Sequence, residues 1–429
     1  MSKRFGAVAM LALVVGLMSV GAAAGKKGTG YETGFDRWRA ADGAFASGWT
    51  FAGTTLSGGA ITLAATGTTT ETDPFAAGTY NNGNYYNGGS YTVGTVTGPD
   101  VMTDGTFREA IASWNADTPV GTWIEARMQI HINGSWHEKE YILGIWAADY
   151  STIERHSVQT QGDGTAFVAV DTLVLYKKMP DADGYRLKFR LFQEAGSTAV
   201  PTIRNISVAY SGNAPDKAGA LEPGSATNWS TLLSVPKCSQ DEYPGEGGEV
   251  WCSPTSTSMV LGYWGDGLVD TPGGETACSK RVHEAVDGVF DWIYDGHGNW
   301  PFNTAYAASQ TRTQPLEGYV VRFTSMAQLE TWVKAGVPVV ISFAWKKSEL
   351  DGVLINSSDG HLAVVVGFDS TGNPIVNDPA TPLANGGDDG VQRTYNRAQL
   401  ETIWLQTSGG TAYLMYPASN AQGDLPASS

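Results

Sequence analysis

The stretch VWCSPTSTSMVLGYWG, residues 250–265, sets Cys252 directly ahead of a run with the composition of a buried helix. A thiol attacks a carbonyl carbon only as thiolate, so its site must favour the anion. The free N–H groups and the dipole of a helix N-terminus do so. Ser253 reads as the helix cap and Pro254 as the first helical residue, which puts Cys252 at that positive end. A thiolate nucleophile also needs a base, and the base needs an orienting partner. Of six histidines, His131, His137 and His156 fall in the front half. His283 lies on the polar side of a helix, and His297 sits in the loop DGHGNW, which reads as a turn. His361 opens the apolar strand HLAVVVGF, and the chain returns through NPIVNDP. Pairing Phe368 with Asn373 across the turn sets Ala363 opposite Asp378 and puts His361 and Asp378 on one face, a diagonal step apart. A one-residue slip exchanges Asp378 for Asn377, the reserve partner. Upstream, Gln240 in VPKCSQDEYP can offer an amide to an oxyanion, with the Cys252 backbone N–H as the second donor. The competing readings are a structural cysteine, a hairpin-edge histidine, a turn aspartate before proline and a surface glutamine.

The chain has three cysteines, so one is unpaired or bridges two chains. Pairing Cys238 with Cys278 leaves Cys252 free; a bond from Cys252 to either neighbour is the alternative. The start MSKRFGAVAMLALVVGLMSVGAAAGKK has Lys3 and Arg4, an apolar run from Ala7 to Val20, and Ala22 and Ala24 as an A-x-A-like site. It reads as a signal peptide over residues 1–24. A membrane anchor is the alternative, but the run is shorter than the roughly 20 residues a spanning helix needs. A secreted protein, free of the membrane after cleavage, is therefore expected, in a compartment where disulfides persist.

These residues need elements to hold them. Residues 229–417 read as an α+β domain. Helices are expected at SPTSTSMVLGYW, KRVHEAVDGVFDWI, SMAQLETWVKAG and NRAQLETIWL, and strands at VPVVISFAW, around the DSTGN turn and at GTAYLMYP. Residues 25–210 read as an all-β sandwich, jelly-roll-like, with WIEARMQIHI and YRLKFRLFQ alternating strictly and one helical interruption at FREAIASW. AFVAVDTLVLY and IRNISVAY read as further strands. SGNAPDKAGALEPGSATN, residues 211–228, is a linker, and residues 418–429 a disordered tail.

Together, VPKCSQDEYP, VWCSPTSTSMVLGYWG and GHLAVVVGFDSTGNPIVNDPA resemble the papain-like cysteine peptidases similar to the bacteriocin-processing, double-glycine-leader peptidases. The resemblance covers roughly residues 229–417. The family's order of glutamine, cysteine, histidine and aspartate is matched by Gln240, Cys252, His361 and Asp378. It implies a papain-like fold, with a helix bearing the nucleophile and a sheet bearing the base. Two features depart from the pattern. Ser253 stands where the family often has glycine, and PGEGGE lengthens the gap from Gln240 to Cys252. No G-x-x-x-x-G-K-[ST] loop occurs, so leader removal coupled to ATP-driven export is not implied. The front region looks like the leading half of exported members.

The expectation is thus an exported cysteine peptidase, monomeric, acting on a peptide or protein through a Cys-His-Asp triad and an acyl-enzyme. The alternative is an inactive binding protein, with Trp114, Trp123, Trp136 and Trp146 stacking on a cell-wall or other carbohydrate polymer. Forty-three carboxylates against 27 basic residues leave a net charge of −16, which repels phosphate backbones and argues against nucleic acid. No H-E-x-x-H or paired Cys/His spacing calls for zinc, and DADG and NGGDDG lack the EF-hand pattern, so no metal or cofactor is expected.

Overall fold

In WIEARMQIHI, Ile124, Ala126, Met128, Ile130 and Ile132 are all buried, while Arg127, Gln129 and His131 on the other face stay partly open. Tyr185, Leu187, Phe189 and Leu191 repeat the pattern one strand away, in register with the first. This is the period of two that a half-buried antiparallel strand requires. The computed structural model describes residues 31–79, 85–215, 221–312, 314–419 and 425. The expected signal segment, residues 216–220 of the expected linker and most of the expected tail lie outside them.

Residues 33–211 form two antiparallel sheets of seven and eight strands. Their apolar faces meet, with Trp114 of one sheet against Phe189 of the other at 6.4 Å between ring centroids. The helix expected at FREAIASW is a strand, Glu109–Asp117. Residues 110–116 are buried on both faces, since one side lies in the two-sheet core and the other meets the C-terminal region. A run buried on both sides carries no period to separate helix from strand. AFVAVDTLVLY is a hairpin of Ala166–Ala169 and Thr172–Leu175, with Val170 at its turn at φ +58°. Trp114, Trp123 and Trp146 are fully buried, which removes the stacking surface a carbohydrate-binding role was expected to use. Trp136 is partly covered by the Arg186 guanidinium, 4.5 Å above its ring.

The C-terminal region holds a third sheet, antiparallel and seven-stranded. Its strand order is Leu316–Arg322, Thr411–Pro417, Val339–Trp345, Ser358–Phe368, Pro374–Asn377 and Gln392–Thr394, with Thr231–Leu232 added beside Ser358–Phe368. The helices are α1 (Cys252–Tyr263), α2 (Ala277–Val289), α3 (Trp300–Ser309), α4 (Met326–Lys334) and α5 (Arg397–Ser408). Leu362, Val364 and Val366 pack with α1, α2 and α3, while Ala363 and Val365 pack with α4 and α5. The sheet is thus covered on both faces. Among the described residues, no helix is long and apolar enough to cross a membrane.

Residues Tyr31–Ser429 make one compact unit. The outer strand Leu316–Arg322 would expose unpaired backbone, a cost that buried edges must avoid. Strand Glu109–Asp117 answers it with side chains. The Asn115 amide donates to Gly318 O at 2.6 Å, and Ser113 Oγ accepts from Val320 N at 3.0 Å. Phe302 of α3 also packs on Trp146 at 5.3 Å.

Candidate active site

Helix α1 begins at Cys252, two residues earlier than the sequence suggests, with Trp251 rather than Ser253 at the cap position. Thr255 N closes the first turn on Trp251 O at 3.0 Å, so the N–H groups before it have no partner in the helix. Pro254 lies inside that turn, where its missing N–H costs nothing. Ser253 is buried, and its hydroxyl bonds the Tyr413 hydroxyl at 3.0 Å. Ser256 Oγ donates to Leu362 O at 3.1 Å, beside His361. The small hydroxyl side chains of α1 thus let the helix sit tight on the sheet and tie its first turns to the histidine strand. Cys252 carries a free, partly exposed thiol, while Cys238 and Cys278 are joined, their Cα atoms 5.7 Å apart.

His361 and Asp378 are both buried, and His361 Nε2 lies 2.8 Å from Asp378 Oδ1. The expected register holds at Val364 with Asn377 and Val365 with Val376, then shifts by one residue at a bulge before Gly367. The bulge sits on the turn side, so Asp378 keeps its reach to His361. Asn377 points elsewhere, its amide donating to Val235 O and Pro236 O. Asp378 also accepts the Tyr395 hydroxyl at 2.5 Å and the Ala380 N–H at 3.0 Å. The imidazole edge meets the rings of Phe343 and Trp345 at 5.4 and 5.3 Å.

Burial alone would favour neutral imidazole. The charge and hydrogen bond of Asp378, then the hydrogen bond and charge of Cys252, outweigh it and lift His361 to about 10. Burial pushes the Asp378 carboxyl up, but His361 opposes this most and holds it below the usual carboxylate range. With Nε2 engaged by Asp378, the other ring nitrogen is left for the Cys252 sulfur. A protonated imidazole held by a carboxylate can stabilise an anion formed beside it.

Gln240 lies on a short 3-10 turn, Gln240–Glu242, and its N–H donates to Pro379 O at 3.0 Å. Its neighbour Ser239 donates from Oγ to Thr381 O at 2.7 Å, so the turn is sewn to the segment just after Asp378. The inserted PGEGGE folds back as a second 3-10 turn, Gly248–Val250, directly before the cysteine helix. A Cβ at Gly248 would come within 2.2 Å of Gln240 O, so only glycine allows this return. Gln240 is buried, and its amide oxygen has no hydrogen-bond partner.

All four expected residues are therefore gathered at the N-terminus of α1 and the end of the hairpin. Tyr395, Phe343, Trp345 and Tyr413 were not singled out in the sequence. Tyr395 and Tyr413 sit at or inside strand ends with no spacing that distinguishes them.

Residues 232–412 match a family described as Peptidase_C39 like family, and residues 35–211 match the Peptidase C39 N-terminal domain. The C-terminal region, residues 232–412, belongs to the peptidase C39-like family. The match supports the papain-like fold for this region and points to a peptidase type of function. No curated protein matches the chain. Among solved structures, a protein described as a C39-like peptidase from Bacillus anthracis is 20% identical, covers 43% of this chain and 96% of its own, and has a TM-score of 0.29. A structure of carbohydrate-binding modules from the β-sandwich superfamily is 14% identical, covers 39% of this chain and 56% of its own, with a TM-score of 0.15. At these scores neither likeness carries an argument.

Proposed function

We propose that this chain is an exported cysteine peptidase that hydrolyses a peptide or isopeptide bond through Cys252, His361 and Asp378. The observation that carries the reading is His361, held by Asp378 at 2.8 Å and kept protonated by Asp378 first and Cys252 second. The Cys252 thiolate attacks the substrate carbonyl. The oxyanion so formed takes hydrogen bonds from the Cys252 backbone N–H and the Gln240 side chain. His361 then gives its proton to the leaving amine, and the acyl group stays on sulfur. A water, giving a proton to His361, attacks the thioester and releases the acid, which restores the thiolate and imidazolium. Asp378 keeps the ring in place and its charge compensated throughout. Export is supported by the signal-like start and by the Cys238–Cys278 bond. The two-sheet N-terminal region is read as a β-sandwich.

The test is alkylation of the whole protein by iodoacetamide at mildly acidic pH, followed by mass spectrometry. Cys252 is expected to react much faster than a free cysteine peptide and to lose peptide hydrolysis in step with labelling. Labelling no faster than the peptide would sink the reading.

A further inference from the structure

The loop DGHGNW, residues 295–300, lies within a longer segment between α2 and α3 that borders the candidate nucleophile. The His297 ring packs against Trp251, the residue before Cys252, at 6.1 Å. Tyr413, whose hydroxyl bonds Ser253 beside the nucleophile, and Tyr294 both lie within electrostatic reach of Cys252. Tyr294 is 44% exposed, yet burial raises its hydroxyl, so the ring runs from solvent to a desolvated end. Its ring lies across two glycines. A Cβ at Gly296 would come within 2.9 Å of the ring, and one at Gly298 within 3.5 Å of the hydroxyl. The glycine spacing therefore seats an aromatic ring as well as turning the chain.

What holds this loop comes largely from the other region. Arg155 is fully buried and donates to Asp287 O at 2.8 Å, at the end of α2. Its own carbonyl accepts Trp292 N at 3.1 Å. Asp291 binds its own loop at Tyr294 N (3.0 Å) and reaches across to Ser157 N (3.0 Å). Gln159 donates to Ile293 O at 3.2 Å. At the far end, Asp171 accepts Trp300 N at 2.6 Å, from a hairpin turn in which the branched Val170 adopts a φ of +58°. A β-branched residue at positive φ is strained and persists only where its surroundings demand it. Outside the loop, Tyr150 lies 6.3 Å from the exposed Trp292, continuing an aromatic rim across the two regions.

We propose that residues 155–159 and Asp171 of the N-terminal region position the loop 291–299, so that the Tyr294 ring forms the wall that receives a bulky apolar substrate side chain beside the scissile bond. This rests on the peptidase reading of Cys252. The N-terminal region is then part of the substrate site rather than an appended module, and Asp171 is a positioning residue acting through the loop. An aromatic face adds dispersion and burial for an apolar side chain and nothing comparable for glycine, which is how it selects.

The test uses the full-length protein and two peptidyl chloromethyl ketones, with Phe or Gly before the warhead. In each, the Cys252 sulfur forms a C–S bond as chloride leaves. The Phe probe is expected to inactivate faster by about ten-fold or more. Tyr294→Ala should collapse that ratio toward one, and Tyr294→Phe should keep it. Asp171→Ala should lower the ratio several-fold, whereas Asp171→Asn, which keeps an acceptor for Trp300 N, should retain it. Equal rates for the two probes, or a ratio unmoved by Tyr294→Ala and Asp171→Ala, overturn the inference while leaving the nucleophile intact. Failure of Cys252 to react faster than a free thiol with any probe overturns the peptidase reading and the inference with it.

Discussion

Each half of the chain buries a carboxylate under a tyrosine, and the two sites end differently. In the N-terminal region Glu125 is fully buried, takes the Tyr86 hydroxyl at 2.5 Å, and pairs with Arg127 and Arg190. In the C-terminal region Asp378 takes the Tyr395 hydroxyl and pairs with His361. Both carboxylates are held below their usual range despite burial. A guanidinium keeps its proton at any accessible pH, so the first network is closed and can only hold strands together. An imidazole can give its proton away, and here Cys252 is among the groups that act on it. The same way of satisfying a buried charge becomes machinery only where the partner can exchange a proton with something outside the network.

That contrast can be broken in order of size. Replacing the carboxylate without changing its shape, Asp378→Asn, should lower peptide kcat/KM by on the order of 10⁴-fold. The protonated His361 contributes stability that is complete below the ordinary imidazole value, about 6.5, and is lost as pH rises through about 10. With the Asp378 charge gone, that upper boundary should move down toward neutrality. The pH profile of Cys252 alkylation and of hydrolysis reads the shift; an unmoved alkaline limb would count against the pair. Glu125→Ala should do the reverse. Two guanidinium groups are left without their buried partner, at a cost of about 3–5 kcal/mol. The urea midpoint should drop accordingly while Cys252 reactivity and its pH profile stay as they were. The smallest change is Tyr395→Phe, which removes one of the hydrogen bonds to Asp378. A hydrogen bond to a charged group is worth about 1.5 kcal/mol, so kcat/KM should fall roughly ten-fold. Tyr86→Phe should lower the unfolding midpoint and leave kinetics alone.

The difference between the halves also decides what could be read in advance. Strands with one wet face, such as Thr122–Ile132 and Ala182–Glu194, announced themselves through alternation. Cys252, His361, Asp378 and Gln240 stood out by residue type and by the hairpin arithmetic, which the bulge near Gly367 left intact where it mattered. Elements wedged between the two regions were silent. Glu109–Asp117 read as helix and Leu316–Arg322 was passed over, both being buried throughout. Helix α3 was missed although Asn299 caps it and Pro301 lies in its first turn, because it too is buried nearly all round. The anchoring of loop 291–299 by Arg155, Ser157 and Asp171 depends on residues more than a hundred positions away, a distance over which no local pattern speaks.

The bridge between Cys238 and Cys278 sits two residues from Gln240 and fastens that turn to α2. Reducing agents are the ordinary means of rescuing an oxidised thiol nucleophile, and this molecule contains both a sulfur that such reagents revive and a bond that they can cut. Mild reductant reaches the open Cys252 first, because both bridged cysteines are buried. Stronger or longer treatment frees the Gln240 turn from its tether and loosens the far side of the cleft. Activity followed along a graded redox titration should therefore climb, level off and fall again, and the descent should disappear in a Cys238→Ser, Cys278→Ser variant that starts from the loosened state.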